Sequence, residues 1–178
     1  MTKQELEWCI SEYGRDIYSF CKYLTGNISE TDDLYQDTFL TAVELLQKID
    51  CEHNPKSYLL SVALRIWKNK KRKFAWRNRI AEIQPLVEEK DVDRGSSSEQ
   101  TPEELLICKE TEEMVRQAVA DLPDKLKPVV LLFYMEGLQV SQIATVMQIP
   151  EGTVLSRLHH ARKVLRKILE DVFDGKGI

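Results

Sequence analysis

The sequence predicts an all-α protein with two small helical domains joined by a flexible linker rich in acidic residues and serine. Three observations support this fold class. Apolar residues recur at helical spacing in several long stretches. One central stretch contains too few apolar residues to form a core. The pattern of the C-terminal third predicts a helix-turn-helix. The predicted bounds are residues 1–82 for the first domain, 83–102 for the linker and 103–178 for the second domain.

The first helix is predicted over residues 3–24 and ends at Gly26-Asn27. One face of it is apolar: Leu6, Cys9, Ile10, Tyr13, Ile17, Phe20, Cys21 and Leu24. A second helix is predicted to begin in the stretch TGNISETDDLYQDTFL, with Ser29 or Thr31 as its N-cap.

The second helix has two unlike faces. Its core stripe comprises Tyr35, Phe39, Ala42, Leu46 and Ile49. Its other face carries Asp33, Gln36, Asp37, Glu44 and Gln47. Leu40 lies in the middle of this polar face, which predicts a small docking patch; an acidic solvated face with one stray leucine is the alternative. The clustered carboxylates do not predict a metal site, because no histidine or further acid converges on them in the sequence.

The third helix begins near Pro55, a residue suited to a first helical turn. Its later part, LRIWKNKKRKFAWRNR, alternates cations with Trp67, Phe74 and Trp76. Cations that follow phosphates and rings that stack on bases are typical of single-strand binding. A basic surface helix that turns its aromatic residues to the core fits the pattern equally well, most of all for Trp67.

The stretch from residue 84 to 104 marks the boundary between the domains. It contains prolines, acids, Gly95 and three consecutive serines, a composition that does not form a core. Thr101 and Glu104 then resemble a capping box that opens a helix through about Val119. Leu122-Pro123 ends that helix.

The C-terminal stretch predicts a helix-turn-helix. An apolar run ends at Glu136-Gly137, and a short helix, a Pro-Glu-Gly turn and a long basic helix follow. The basic helix has one apolar stripe: Val154, Leu158, Ala161, Leu165, Ile168 and Val172. The polar side carries Thr153, Ser156, His160, Lys163 and Lys167, with Arg157 and Arg162 flanking the stripe. The pattern is typical of a DNA-reading helix, and a solvated or partner-binding basic helix is the alternative.

Charge is strongly segregated along the chain, although the net charge is only −4. Residues 30–52 hold seven acids and one lysine, and residues 63–80 hold eight Lys or Arg and no acid. Residues 82–113 hold eleven acids and three bases. Blocks of opposite sign indicate surfaces with separate partners.

Several functions are not supported by the sequence. There is no nucleophile with a base and an orienting group, no phosphate loop and no metal constellation, so we expect neither an enzyme nor a cofactor or small-molecule substrate. The four cysteines lack CxxC spacing, and Cys51 near His53 is weak support for a metal or redox pair. Charges interrupt the N-terminal stretch and no long apolar run exists, which predicts a cytoplasmic protein.

The helix-turn-helix stretch resembles the C-terminal region of bacterial sigma factors, and the small extracytoplasmic-function (ECF) class in particular. The resemblance lies in Leu122-Pro123, Glu136-Gly137, Ile143-Ala144, and the run from Gly152-Thr153-Val154 through Ser156-Arg157-Leu158 and Ala161-Arg162 to Leu165. It implies that four residues face the groove of a promoter minus-thirty-five element: Thr153, Ser156, Arg157 and His160. It places Arg162 and Lys163 nearer phosphates.

Two N-terminal segments resemble the same family. Asp32-Asp33-Leu34-x-Gln36-Asp37-Thr38-Phe39 is similar to the helix that binds the β′ subunit of RNA polymerase, which implies a polymerase contact by Asp33, Gln36, Asp37 and Leu40. Pro55-x-x-Tyr58-Leu59 and Ala63 resemble the helix that opens the minus-ten element. The implied strand-opening residues are Tyr58, Arg65, Lys68, Asn69 and Arg72. The family more often has tryptophan, asparagine and aspartate at positions 58, 65 and 69, so the base preference is expected to differ.

The resemblance implies an ECF sigma factor that binds core RNA polymerase through its β′ and β subunits and directs promoter recognition and transcription initiation. Duplex and single-stranded promoter DNA and an anti-sigma factor are the other implied partners. A free-standing helix-turn-helix regulator and a module whose basic helices dock on an acidic protein remain alternatives.

Overall fold

The computed structural model describes residues 3–45, 54–81 and 112–175, and within these ranges it consists of helices joined by turns and short loops, with no strand. The helices are α1 Lys3–Thr25, α2 Ile28–Glu44, α3 Pro55–Ala81, α4 over residues 112–120, α5 Lys127–Val130 with a π-helical continuation Leu131–Met135, α6 Val140–Met147 and α7 Glu151–Gly175. None of these helices is long and apolar enough to cross a membrane. The all-α prediction is confirmed.

The first compact unit contains α1, α2 and α3, each of which packs against the other two. Its core comprises Leu6, Cys9, Ile17, Phe20, Cys21, Leu24, Leu34, Phe39, Ala42, Leu59, Leu60, Val62, Ala63, Leu64 and Trp67. Lys56 Nζ lies 2.6 Å from Asp16 Oδ2 and so ties the start of α3 to α1. The predicted face of α1 is confirmed in most positions, although Ile10 is 40% exposed.

The start of α2 differs from the prediction. Asn27, not Ser29 or Thr31, is the N-cap: its side chain accepts a hydrogen bond from the Glu30 backbone N–H at 3.2 Å. Thr31 is buried, and its hydroxyl donates to the Asn27 carbonyl at 2.7 Å. The helix therefore begins two residues earlier than a Ser29 cap allows, because the side chain of Asn27, in extended conformation, accepts from a free N–H of the first turn.

The second compact unit contains α4, α5, α7 and the start of α6. Leu122, Leu126 and Val130 form a buried cluster with Ala161 of α7, and Val119, Val164 and Leu165 pack against it. The chain leaves the π-helical turn at Glu136, whose N–H donates to the Leu131 carbonyl at 3.1 Å. Gly137 follows with a φ of 66°, so the prediction that glycine stops this helix is confirmed.

A turn of three residues, 148–150, joins α6 to α7. Gln148 takes a left-handed φ of 55°, and the Pro150 carbonyl accepts from the Thr153 and Val154 N–H groups at 2.9 and 3.1 Å. Val154, Leu158 and Ala161 are buried, as the predicted apolar stripe requires. The helix-turn-helix is therefore present in the fold.

Some predictions concern residues outside the described ranges. These are the linker, the Thr101–Glu104 capping box, Leu46, Ile49, the Cys51–His53 pair and the side chain of Val172. The domain bounds at residues 82 and 103 remain predictions for the same reason.

Candidate nucleic-acid interface

The exposed side of α7 carries most of the residues predicted to read duplex DNA. Ser156, His160 and Lys163 are exposed, and Thr153 and Arg157 are half-buried. The Ser156 hydroxyl donates to the Thr153 carbonyl at 3.0 Å, so it is held against its own helix. No acid occurs between residues 153 and 167, which makes this side of the helix electropositive.

Arg157 and Arg162 lie on opposite flanks of the apolar stripe of α7, since their positions differ by five residues, or about 140°. Arg162 is exposed, but residues of the π-helical segment Leu131–Met135 hold its side chain in place. Its Nε donates to the Tyr134 hydroxyl at 2.8 Å. Its guanidinium carbon lies 5.7 Å from the Phe133 ring centroid and 5.8 Å from that of Tyr134.

A second basic face lies on α3. Tyr58, Arg65, Asn69 and Arg72 recur at intervals of seven, four and three residues, which places them on one side of the helix. Arg65, Asn69 and Arg72 are exposed, and Arg72 Nη2 donates to Asn69 Oδ1 at 3.4 Å. Burial raises the pKa of the Tyr58 phenol, and the nearby positive charge of Arg65 opposes that rise. Lys68 is exposed at the edge of this face.

The three aromatic residues of α3 differ in their surroundings. Trp67 is 4% exposed and belongs to the core, where its indole N–H has no partner among the described residues. The interpretation of Trp67 as a stacking residue is therefore wrong. Phe74 and Trp76 are 58% and 63% exposed, and Trp76 lies four residues after Arg72 on the Tyr58 face. Trp76 is the ring available for stacking on that face.

A groove of about 490 Å³ runs between α2 and the later part of α3. Its walls comprise Thr25, Glu30, Asp33, Leu34, Trp67, Lys70, Lys71, Lys73, Phe74 and Arg77. Lys71 lies over the Trp67 ring, with Nζ 5.9 Å from its centroid. The groove therefore has acids of α2, Glu30 and Asp33, on one wall and cations of α3 on the other.

The predicted polymerase-binding residues share one exposed face of α2. Asp33 and Gln36 are exposed, Asp37 is half-buried, and Leu40 is 62% exposed at the next turn. Asp37 is not free: its Oδ2 lies 2.8 Å from Lys70 Nζ. Such a partly exposed pair contributes about 0–1 kcal/mol, so a cation of a partner can displace Lys70 at little cost.

Two residues of these surfaces were not singled out by the sequence analysis as site residues. They are Lys70 and Tyr134. The basic composition of α3 indicates Lys70, but Tyr134 lies in an apolar run and carries no local signal. Within the described ranges, no three His, Cys, Asp or Glu side chains come together to form a metal site.

These features define a class: an all-helical protein with a helix-turn-helix over residues 140–175 and a basic, aromatic helix beside an acidic one in residues 28–81. Two solved structures share the fold. The sigma factor RpoE of Bartonella quintana, solved with the anti-sigma factor NepR, aligns with a TM-score of 0.78 at 16% identity, over 94% of this chain and 98% of that one. CnrH, solved with the cytosolic domain of CnrY, gives 0.65 at 16% identity, over 96% and 90%.

Sequence comparison identifies the family. The chain matches Sigma-70 region 2 over residues 9–77 and Sigma-70, region 4, over residues 112–165, together more than half of its length. It is 27% identical over 164 residues to the ECF RNA polymerase sigma factor SigW of Bacillus subtilis, covering 90% of this chain and 86% of the relative. It is also 27% identical over 171 residues to the RNA polymerase sigma-H factor of Pseudomonas aeruginosa, covering 94% and 88%. The chain belongs to the sigma-70 family, in its extracytoplasmic-function group.

Proposed function

We propose that this protein binds core RNA polymerase and directs it to promoters, with the residues named above as the contacts. One observation carries the proposal: two exposed basic helical faces lie in separate units of the chain, and one unit also presents an acidic face with an exposed leucine. The acidic face repels DNA and fits a basic protein surface instead.

The acidic face of α2 is the proposed contact with the polymerase. Asp33, Gln36 and Asp37 supply acceptors for a basic surface, and Leu40 supplies an apolar anchor at their centre. In a complex, the polar residues around Leu40 can exclude water from it, as the rim of an interface does around a hot spot. The β′ subunit is the proposed partner of this face, and β the further subunit that the chain contacts.

The Tyr58 face of α3 is the proposed contact with the opened strand of the minus-ten element. Arg65, Lys68 and Arg72 supply charge along the backbone, and Asn69 supplies a donor and an acceptor for a base edge. Trp76 adds an exposed ring at the end of the face. Base stacking on such a ring is sequence-tolerant, so specificity on this face must come from Asn69 and its neighbours.

The polar side of α7 is the proposed reader of the minus-thirty-five element. Thr153, Ser156, Arg157 and His160 face the major groove, and Arg162 and Lys163 hold phosphates. Arginine can hold a guanine edge with two hydrogen bonds, so Arg157 is the residue most able to select a base. Lysine and arginine contacts to phosphate add affinity that is independent of sequence.

Regulation by an anti-sigma factor is also proposed. RpoE of Bartonella quintana was solved with the anti-sigma factor NepR, and CnrH was solved with the cytosolic domain of CnrY. A chain with two DNA-binding units can be kept inactive by one protein that covers both of them. We place the protein in the cytoplasm, where core polymerase and DNA are found, and assign it no catalytic role.

Run-off transcription tests the proposal. Bacterial core polymerase with this chain should start transcripts at specific sites of a fragmented genomic template, whereas core polymerase alone should not. The triple variant D33N/D37N/L40A should lose initiation and co-purification with core polymerase. Specific operator binding by the chain alone, undiminished in that variant and without initiation, would identify a free-standing regulator instead.

A further inference from the structure

Tyr134 and Arg162 form a link between the helix before the helix-turn-helix and the flank of α7. The hydrogen bond from Arg162 Nε to the Tyr134 hydroxyl is 2.8 Å long and joins residues that are 28 positions apart. Phe133 and Tyr134 meet edge to face, with ring centroids 5.0 Å apart, and the guanidinium lies within 6 Å of both rings. Three contacts therefore fix one surface side chain.

Fixing the side chain of Arg162 lowers the conformational entropy that it loses when it binds a ligand. A free arginine on a helix surface samples many rotamers, and ordering it on a ligand loses that freedom. Here the aromatic contacts and the Nε bond have ordered it already. The two Nη groups have no partner within the described residues, so the end of the guanidinium is open to a ligand.

The location of Arg162 indicates which ligand. A recognition helix in a major groove lies between two sugar-phosphate walls, and its flanking residues point toward those walls. Arg162 lies on the flank of α7 away from Arg157, which faces the base edges. An ordered, two-pronged cation on the flank fits a phosphate, whose oxygens can accept both Nη groups at once.

We propose that Tyr134 is a positioning residue for DNA binding and that Tyr134 and Arg162 together form a clamp for one backbone phosphate. Because Nε is bound to Tyr134, Arg162 approaches the phosphate end-on, through Nη1 and Nη2. The Tyr134 hydroxyl accepts from Arg162 Nε and so acts on the phosphate only by ordering Arg162. This inference rests on the proposed function of α7.

The clamp is tested by a double-mutant cycle with the full chain. The ligand is a short mixed-sequence DNA duplex, which is suitable because phosphate contacts do not depend on sequence. Fluorescence anisotropy gives the dissociation constant at several low salt concentrations for the wild type, Y134F, R162A and Y134F/R162A. The matched control is Y134F in an R166A background, because Arg166 is also an exposed arginine of α7, one turn further on.

The clamp predicts a specific pattern of losses. Y134F should weaken duplex binding about fivefold, the effect of one lost hydrogen bond that orders a charged group. R162A should lower the slope of log affinity against log salt by about one. Adding Y134F to R162A should then have no further effect, whereas adding it to R166A should still weaken binding about fivefold. The thermal melting temperature should stay the same, since Tyr134 and Arg162 are exposed.

Four results would overturn the inference. Y134F without effect on duplex binding, or with the same effect in the R162A background, would show that Tyr134 does not act through Arg162. A large drop in melting temperature in Y134F would assign the link to folding. If the wild-type chain shows no salt-dependent binding to any duplex, the proposed function of α7 fails as well. If the wild type binds duplex but the variants do not follow the predicted pattern, only the clamp fails.

Discussion

At the scale of single residues, Leu40 is the clearest test of the polymerase face. Its side chain is 62% exposed on α2 among acids, so shortening it removes an apolar anchor without opening a cavity. We expect L40A to weaken binding of core polymerase at least tenfold, about 1.4 kcal/mol, while the free energy of unfolding changes by no more than about 0.5 kcal/mol. Surface plasmon resonance with immobilised core enzyme measures the affinity.

Ile28 provides the matched control for Leu40. It is also exposed on α2, at 41%, but lies twelve residues earlier, about 18 Å along the helix axis. The variant I28A should bind core polymerase like the wild type. Equal losses of polymerase affinity in L40A and I28A would mean that the effect is not specific to Leu40. An unchanged affinity in L40A would show that this leucine is not part of the interface.

Cys21 predicts a pH dependence of stability. It is fully buried, and burial raises the pKa of its thiol to about 12 from an ordinary value of 9.0. The Cys21 thiol therefore stays protonated in the folded state at a pH at which it is deprotonated in the unfolded state. The free energy of unfolding should fall as the pH rises above about 9, with a slope approaching 1.4 kcal/mol per pH unit from this residue.

Urea unfolding at pH 8 and pH 10 measures this effect, and C21A is the control. The alanine variant is expected to be less stable at both values, because it leaves a small cavity. Its stability should nevertheless decline less between pH 8 and pH 10 than that of the wild type. The same decline in both proteins would show that other groups cause it.

Single residues also show where sequence reasoning reaches its limit. The exposure of Leu40 could be predicted, because helical spacing fixes which positions share a face. The burial of Trp67 could not be decided in the same way, because a tryptophan among cations suits either a core or a stacking surface. Tyr134 was missed since its partner lies 28 residues away, and only the tertiary fold brings the two side chains together.

At the scale of elements, two glycines of the helix-turn-helix have different roles. Gly137 has a φ of 66°, a left-handed conformation that an L side chain adopts only with strain, whereas Gly152 lies in α7 with no atom within 4 Å of an added Cβ. We expect G137A to lower the free energy of unfolding by about 1–2 kcal/mol. G152A should leave it unchanged or raise it by up to about 1 kcal/mol.

Calorimetry of the two glycine variants tests this assignment. A lower melting temperature in G137A and an unchanged or higher one in G152A are the expected results. If both substitutions lowered the melting temperature equally, the turn after residue 135 would not depend on a left-handed residue, and the account of how this helix ends would be wrong.

The helices themselves were predictable to a large extent, because apolar spacing marks α1, α2 and α7 and Pro55 marks the start of α3. The error at the start of α2 has a physical cause. Asn27, Ser29 and Thr31 are all able to cap a helix, and the choice depends on the extended backbone at Asn27 and on the burial of Thr31. Backbone conformation and burial come from tertiary packing, which local sequence does not encode.

At the scale of the whole molecule, charge segregation connects the sequence with its function. A net charge of −4 conceals basic faces on α3 and α7 and an acidic face on α2. The structure places each of these faces on an exposed side of its own helix. Opposite charges within one chain are useful when the partners differ in charge, as a polymerase surface and DNA do.

Site-specific photo-crosslinking tests the central claim, that α3 and α7 bind different parts of one promoter, most directly. A photoreactive residue replaces Asn69 in one variant and Ser156 in another, and each variant is assembled with core polymerase on a promoter obtained by run-off mapping. We expect position 156 to crosslink to the duplex of the minus-thirty-five element and position 69 to the non-template strand of the minus-ten element. Crosslinks from both positions to the same element, or none from position 69, would contradict the account.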